Sequence, residues 1–393
     1  MNPIVVNRFK PYRRMRWTRS NYLWQDSNPY LAKYNIKVEH ESTGPHDVMV
    51  IPCPHLPDKE AFVHRDNVID IARGHNGAMD FQDTPLICDS SLDYAYLDPV
   101  MRSLISHPQV RAYMPGSAFR NPIVQQRGFH GGEYYGTVYT QRELYNSGPS
   151  PRQNRHPMPA EILAKIQPLN RPVTPPFSDA VFEYIAKKVK PLKERNIDLL
   201  FSGRTRYGNP VKPSYPTRHR QHLERIWHTL PGHKIFKSYD DYEGTVKGGR
   251  KVEVYKYPYE YVDALMDTKV IISPWGWSPW CIRDLEAMAC GCIVIKPECS
   301  NMLIYPDIYD PHRQLLVWCD ILYKKLRSQL FYIYKSLDEM QDRADRGRQF
   351  VTDALYPNDK IYASWTKDIR RILENALERP AYSVAAQMLD FNS

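Results

Sequence analysis

Apolar positions change rhythm partway along the chain. Up to about residue 176 they form short runs, at 47–51, 84–88, 110–114 and 136–139, bounded by polar, Pro or Gly positions, which predicts strands with weak helical signals between them. Beyond that point helical spacing and short continuous runs take turns. They predict a helix over 178–188, a strand over 197–201, a helix over 217–229, a strand over 234–236, a helix over 259–266 and a strand over 269–273. Such alternation implies an α/β fold, with a parallel sheet covered by helices on both faces. From 321 onward the pattern is helical, with a terminal helix over 359–377.

Proline marks the change of rhythm. The chain has 33 prolines, and eight of them lie between Pro149 and Pro176, where no regular element can persist. We therefore expect a first domain over 1–176, including this connection, and a second over 177–356. A closing segment over 357–393 is expected to carry the last helix.

The densest signal spans 271–297. A buried-strand pattern ends at Ser273-Pro274-Trp275-Gly276-Trp277, a helix follows over 279–290, and a second buried strand begins at Cys292. Ser278 is the expected N-cap, Pro279 suits the first helical position, and Gly291 suits the C-terminal cap. Cys281, Leu285, Met288 and Ala289 recur at helical spacing and should face the sheet. Arg283 and Glu286, three apart, should share the opposite side near the open helix N-terminus. Free amides and a guanidinium there suit a diphosphate, and an acceptor-only carboxylate suits ribose hydroxyls. Three Trp within six residues at the C-terminal end of a strand point to a ligand rather than to solvated surface, with Trp275 or Trp277 stacking on a base or sugar.

The run Ser273-Pro-Trp-Gly-Trp, then Arg283-Asp284-Leu285-Glu286-Ala287, Gly291 and Lys296-Pro297, resembles the donor-site segment of GT-B glycosyltransferases, in particular the exostosin-like and family 1-like groups. The resemblance implies two Rossmann-like domains with a cleft between them. It also implies a donor nucleotide sugar such as a UDP- or GDP-sugar held by the second domain, Arg283 on the diphosphate, Glu286 on the ribose, and a last helix that crosses back to the first domain. Where the family usually carries Gly-Glu after the second aromatic, this chain has Ser278-Pro279.

Other strand ends add candidates. Gly203-Arg204 follows the strand at 197–201, placing a flexible backbone and a cation at another C-terminal edge. In the first domain Asp89 follows an apolar run and His130 precedes a Gly-Gly turn, so these two are the candidate acceptor bases. No D-x-D triplet, C-x-x-C pair, H-E-x-x-H, G-x-G-x-x-G or P-loop is present. A metal-independent enzyme without a resident cofactor is therefore expected.

Composition narrows the setting. A hydrophobic content of 42% with 25% charged residues describes a globular chain, and no apolar run approaches the roughly 18 residues of a membrane span. The first 17 residues lack the apolar core of a signal peptide, and seven scattered Cys read as reduced thiols. A cytoplasmic protein is expected, in the host cytoplasm if the source is a virus. Net charge is +9, and Arg8, Lys10, Arg13, Arg14, Arg16 and Arg19 form a basic arm interleaved with aromatics, while 218–225 adds a second basic cluster. Together these features favour transfer of a sugar to a hydroxyl of a glycan acceptor. A nucleic-acid acceptor, or a non-catalytic protein that binds nucleic acid or glycan, is the alternative; oligomeric state is not indicated.

Overall fold

The computed structural model describes residues 2–8, 24, 28–40, 46–53, 84–90, 105, 109–114, 118–119, 164–165, 167, 176–205, 215–238, 258–276, 280–300, 302–320 and 322–378. In chain order the first part contains β1 (Ile4–Arg8), α1 (Tyr30–Lys33), β2 (Ile36–His40), β3 (Val48–Cys53), β4 (Leu86–Ser90), β5 (Val110–Met114) and β6 (Ala118–Phe119). Then come α2 (Asp179–Lys188), β7 (Ile197–Gly203), α3 (Tyr215–Trp227), β8 (Lys234–Ser238), α4 (Pro258–Met266), β9 (Thr268–Ile272), α5 (Ile282–Ala289) and β10 (Ile293–Pro297). The chain closes with β11 (Met302–Leu303), β12 (Val317–Cys319), α6 (Leu326–Lys335), α7 (Leu337–Leu355) and α8 (Asp359–Glu378). The strand expected at 136–139 lies outside the described residues.

Two five-stranded sheets organise these elements, in the orders β2-β1-β3-β4-β5 and β12-β10-β9-β7-β8. Every pairing within them is parallel. Read in chain order, both sheets have the same plan: the first strand lies inside, the second at one edge, and the rest continue on the other side. Chain direction therefore reverses between β1 and β3, and again between β7 and β9. At such a switch point the loops leaving two neighbouring strands run to opposite faces and open a crevice at the strands' C-terminal ends.

Parallel strands covered on both faces are mostly apolar, and β5 and β10 are buried along their whole length, Arg111 and Lys296 included. The second sheet sits between two apolar layers. One contains Leu200, Ile271, Leu285, Met288 and Val294, and the other Leu199, Phe201, Val270, Ile293 and Ile295. Helix α8 packs elsewhere: Trp365, Ile369, Ile372 and Leu373 join Val6, Val48, Val50 and Ile87 in the core of the first sheet. Arg370 on this helix donates to the carbonyls of Asn2 and Asn35 at 3.2 and 3.0 Å. An antiparallel pairing of β6 with β11 makes a further connection between the two halves.

Two sequence expectations need correction here, and a third lies almost wholly outside the described residues. The basic arm begins at Arg8, the last residue of β1, and its other five cations lie outside the described residues. The helix expected from 279 starts at Ile282, with Cys281 as N-cap and no side-chain capping bond. Ser278 and Pro279 therefore precede it by more than a cap position. In the cluster at 218–225, Arg220 is only 1% exposed, whereas Glu224 and Arg225 stay at the surface.

The far end of α5 behaves as its sequence suggests. Gly291 has φ +69°, its N–H donates to Met288 O at 2.8 Å, and Cys292 N–H donates to Ala287 O at 2.9 Å. These are the two bonds of a Schellman close, which needs a left-handed residue. Arg195, 3% exposed, adds a cation there and ties three carbonyls, those of Lys190 (2.9 Å), Thr268 (2.7 Å) and Cys290 (3.1 Å).

Candidate functional site

The second switch point collects most of the described candidates. Leaving β7, the chain passes through Gly203 and Arg204; leaving β9, it passes through Ser273, Pro274, Trp275 and Gly276. Since β7 and β9 are hydrogen-bonded neighbours, these two loops start side by side. Arg283 reaches the same place from the second residue of α5. Its guanidinium lies 5.8 Å from the Phe201 ring, and a Cβ placed on Gly203 would stand 3.1 Å from Arg283 Cζ and closer still to Nη2. Glycine at 203 is thus what admits this side chain.

A second guanidinium, absent from the sequence reading, meets the same point. Arg220 Nη1 lies 3.4 Å from the position of that Cβ. Its Nε donates to Trp275 O at 2.9 Å, Nη1 to Arg204 O at 2.7 Å and Nη2 to Pro274 O at 3.5 Å. Helix α3 thereby holds both loops through one buried side chain. Two cations converging on a crevice at strand ends raise the local positive potential, which favours a multiply charged anion.

Below this surface a buried polar chain fixes the helix start. Tyr309 accepts from the Cys281 N–H at 3.3 Å and donates to Asp284 Oδ2, and Asp284 pairs with Lys296 at 2.7 Å. Lys296 Nζ also lies 3.4 Å from Ser273 O. Asp284 and Lys296 are both fully buried, so their charges are compensated by each other rather than by water. Burial, with the Asp284 charge adding to it, pushes the Tyr309 hydroxyl well above its ordinary value and keeps it a donor. The network joins β9, β10 and α5, and so sets where Arg283 begins.

Glu286 faces another way. Its Oε2 accepts from Tyr261 Oη at 2.8 Å, which fixes the carboxylate against α4. Arg283 and Glu286 are both partly exposed, the condition for meeting a ligand.

The remaining candidates divide. Trp275 is 1% exposed and its indole donates to Pro297 O at 3.2 Å, so it is a core side chain and not a stacking platform; Trp280 is buried as well. Ser273 is fully buried, with its N–H donating to Ile295 O at 2.9 Å, and so shapes the loop instead of lining the crevice. Gly276 is partly exposed, and Arg204 exposes its side chain while its carbonyl serves Arg220. In the first sheet Asp89 is 1% exposed and accepts from Trp24 Nε1 at 3.2 Å, inside the core that α8 completes. That burial makes it a partner of the indole, out of reach of an acceptor hydroxyl. Trp277 and His130 lie outside the described residues.

Among the described residues there is no group of three or more His, Cys, Asp or Glu arranged to hold a metal ion, and no helix long and apolar enough to cross a membrane. The cysteines described, Cys88, Cys281, Cys290, Cys292, Cys299 and Cys319, are all free thiols.

No protein-family model matches the chain, and no curated protein does. Several solved structures are similar to it. A sucrose-phosphate synthase from Thermosynechococcus elongatus shares 12% identity over 94% of this chain and 99% of its own, with a TM-score of 0.46. WaaG, a glycosyltransferase involved in lipopolysaccharide biosynthesis, shares 13% identity over 94% and 99%, with a TM-score of 0.39. The glycotransferase of kitacinnamycin shares 12% identity over 96% and 100%, with a TM-score of 0.37. With each of these TM-scores below 0.5, the likeness adds nothing to what strand order and side chains establish.

Proposed function

We propose that this chain is a GT-B glycosyltransferase that binds a nucleotide sugar at the β7/β9 switch point and moves the sugar to a hydroxyl of a glycan acceptor. The observation that carries the reading is the convergence of Arg283 and Arg220 on Gly203, beside the uncapped start of α5. A departing nucleoside diphosphate gains negative charge, and cations and helix amides fixed in advance stabilise that charge without reorganising. In this reading the diphosphate lies against Arg283 and the α5 amides, and the ribose reaches Glu286, whose orientation Tyr261 holds. Leaving-group stabilisation then needs no metal. The acceptor base is to be sought in the first half of the chain.

A panel of nucleotide sugars and nucleoside diphosphates, screened by thermal shift, tests the reading directly. A true ligand at 100 times its dissociation constant stabilises by about 2.7 kcal/mol. Glu286→Ala should weaken binding of the whole nucleotide more than of pyrophosphate, and Arg283→Ala should weaken both. Equal losses for nucleotide and pyrophosphate in the Glu286 variant would remove the ribose contact. If no member of the panel stabilises the wild type, the donor site itself is refuted.

A further inference from the structure

A second cavity lies at the edge of the same sheet, against β12, which is two strands away from β9. Helices α6 and α7 meet at a single residue, Ser336, and diverge from that joint, leaving a wedge between them. The space is about 430 Å³, within the usual range of roughly 300–1,000 Å³ for small-molecule sites. Val317, Ile333 and Met340 give it an apolar wall, and Ser328, Gln329, Tyr332, Glu339, Arg343 and Arg346 supply the polar groups.

Three observations describe what would fit. Arg343 and Arg346 are three residues apart on α7 and so project from one face. Burial, and then the nearby Arg346, push the Arg343 guanidinium below its ordinary value, with Tyr332 opposing; the group is a half-sheltered cation next to a second one. Arg343 Nη1 reaches Leu316 O at 3.4 Å, a neutral acceptor that leaves the charge itself uncompensated.

The second is Gln329, which fixes the wall of the wedge against β12. Its Nε2 donates to Trp318 O at 2.8 Å, so the amide cannot be turned round without setting two oxygens against each other. Its Oε1 is buried within that wall and does not open into the space. The third observation is Tyr332, whose ring is 57% exposed while its hydroxyl donates to Glu339 at 3.0 Å. That bond holds the ring in place and engages the one acid of the lining.

We propose that this cavity is a binding site for a phosphate monoester of a small molecule. The phosphate, with a charge near −2, meets Arg343 and Arg346, and the body lies on Val317, Ile333 and Met340 with Tyr332 across it. The site is separate from the β7/β9 crevice and does not depend on the reading given for that crevice.

The test is binding to the full chain by thermal shift and calorimetry, with uridine monophosphate, glucose 6-phosphate and orthophosphate as probes. Two pocket variants, Arg346→Gln and Ser328→Trp, change exposed positions, and their folding is checked by circular dichroism. Arg283→Ala reports on the other site. At least one organic phosphate should bind, bind about tenfold or more weakly to both pocket variants, and keep its affinity in Arg283→Ala. Glucose 6-phosphate binding with uridine monophosphate silent identifies a sugar phosphate, and the reverse a nucleotide. Binding that survives both pocket variants, orthophosphate binding as tightly as either organic probe, or no binding by any probe would overturn the proposal.

Discussion

Replacing Gly203 by Ala separates the site from the fold with a single methyl group. The backbone at Gly203 is not in the left-handed region, so alanine adopts it without backbone strain and gains about 0.4–1 kcal/mol through the unfolded state, which the displacement of Arg283 from Phe201 offsets. What the new Cβ meets is the far end of Arg283, at 3.1 Å from Cζ, and Arg220 Nη1 at 3.4 Å. Arg220 is held by its bonds to the carbonyls of Arg204 and Trp275, whereas Arg283 is partly exposed and can swing away. Losing one charged hydrogen bond to a diphosphate costs about 1.5–3 kcal/mol, or roughly ten- to a hundredfold in affinity. Affinity should therefore fall roughly ten- to a hundredfold while stability changes by less than about 1 kcal/mol, read by calorimetry with a nucleoside diphosphate and by urea denaturation. In an Arg283→Ala background the same methyl should cost no further affinity, because the displaced group is already gone. Undiminished binding by Gly203→Ala, or an equal loss in both backgrounds, would refute the assignment of Arg283.

The buried pair offers a second test: Asp284→Asn or Lys296→Met alone leaves an uncompensated charge and should destabilise by about 3–5 kcal/mol, while the double variant should lose clearly less than the sum. Urea denaturation measures this, and single losses below about 1 kcal/mol would mean that the pair is solvated. The thiols give a third. Burial lifts Cys292 from the ordinary 9.0 to about 11, against the opposing charge of Arg195, and lifts Cys290, Cys299 and Cys319 well above the usual value. These four should resist alkylation at pH 8 in the native state and react on unfolding. Because the folded value of Cys292 is the higher one, its contribution to stability is intact below pH 9 and is lost as pH rises towards 11.

The second sheet was largely legible in the sequence because central parallel strands are near-continuous apolar runs, and Leu199, Val270 and Ile293 each sit in such a run. The first sheet was harder. In β2 the alternation Ile36-Lys37-Val38-Glu39 is the signature of an edge strand with one wet face, and β1 offers only the short run Ile4-Val5-Val6 before the sequence turns polar and basic. Spacing put Arg283 and Glu286 together on the side of α5 away from the sheet; both are partly exposed, but Arg283 turns to Gly203 and Glu286 to Tyr261 of α4. It could not tell a core indole from a ligand platform, since Trp275 at a strand end satisfies either description until its N–H is seen to reach Pro297. Arg220 was concealed for a similar reason: in 218–225 a buried guanidinium and a surface one are the same letter, and only the carbonyls of two distant loops distinguish them.

Those carbonyls have a consequence for how such a crevice can change. A guanidinium that recognises the backbone of Arg204, Pro274 and Trp275 constrains the course of the two loops, not the identity of the side chains they carry. At position 204, where the side chain is exposed, substitution alters what the crevice presents to a ligand and leaves the carbonyl that Arg220 needs in place. Shape is inherited from α3 and selectivity from the loops, so the two can drift independently. A single residue on a neighbouring helix thereby gives the mouth of the sheet freedom to acquire new substrates without a new scaffold.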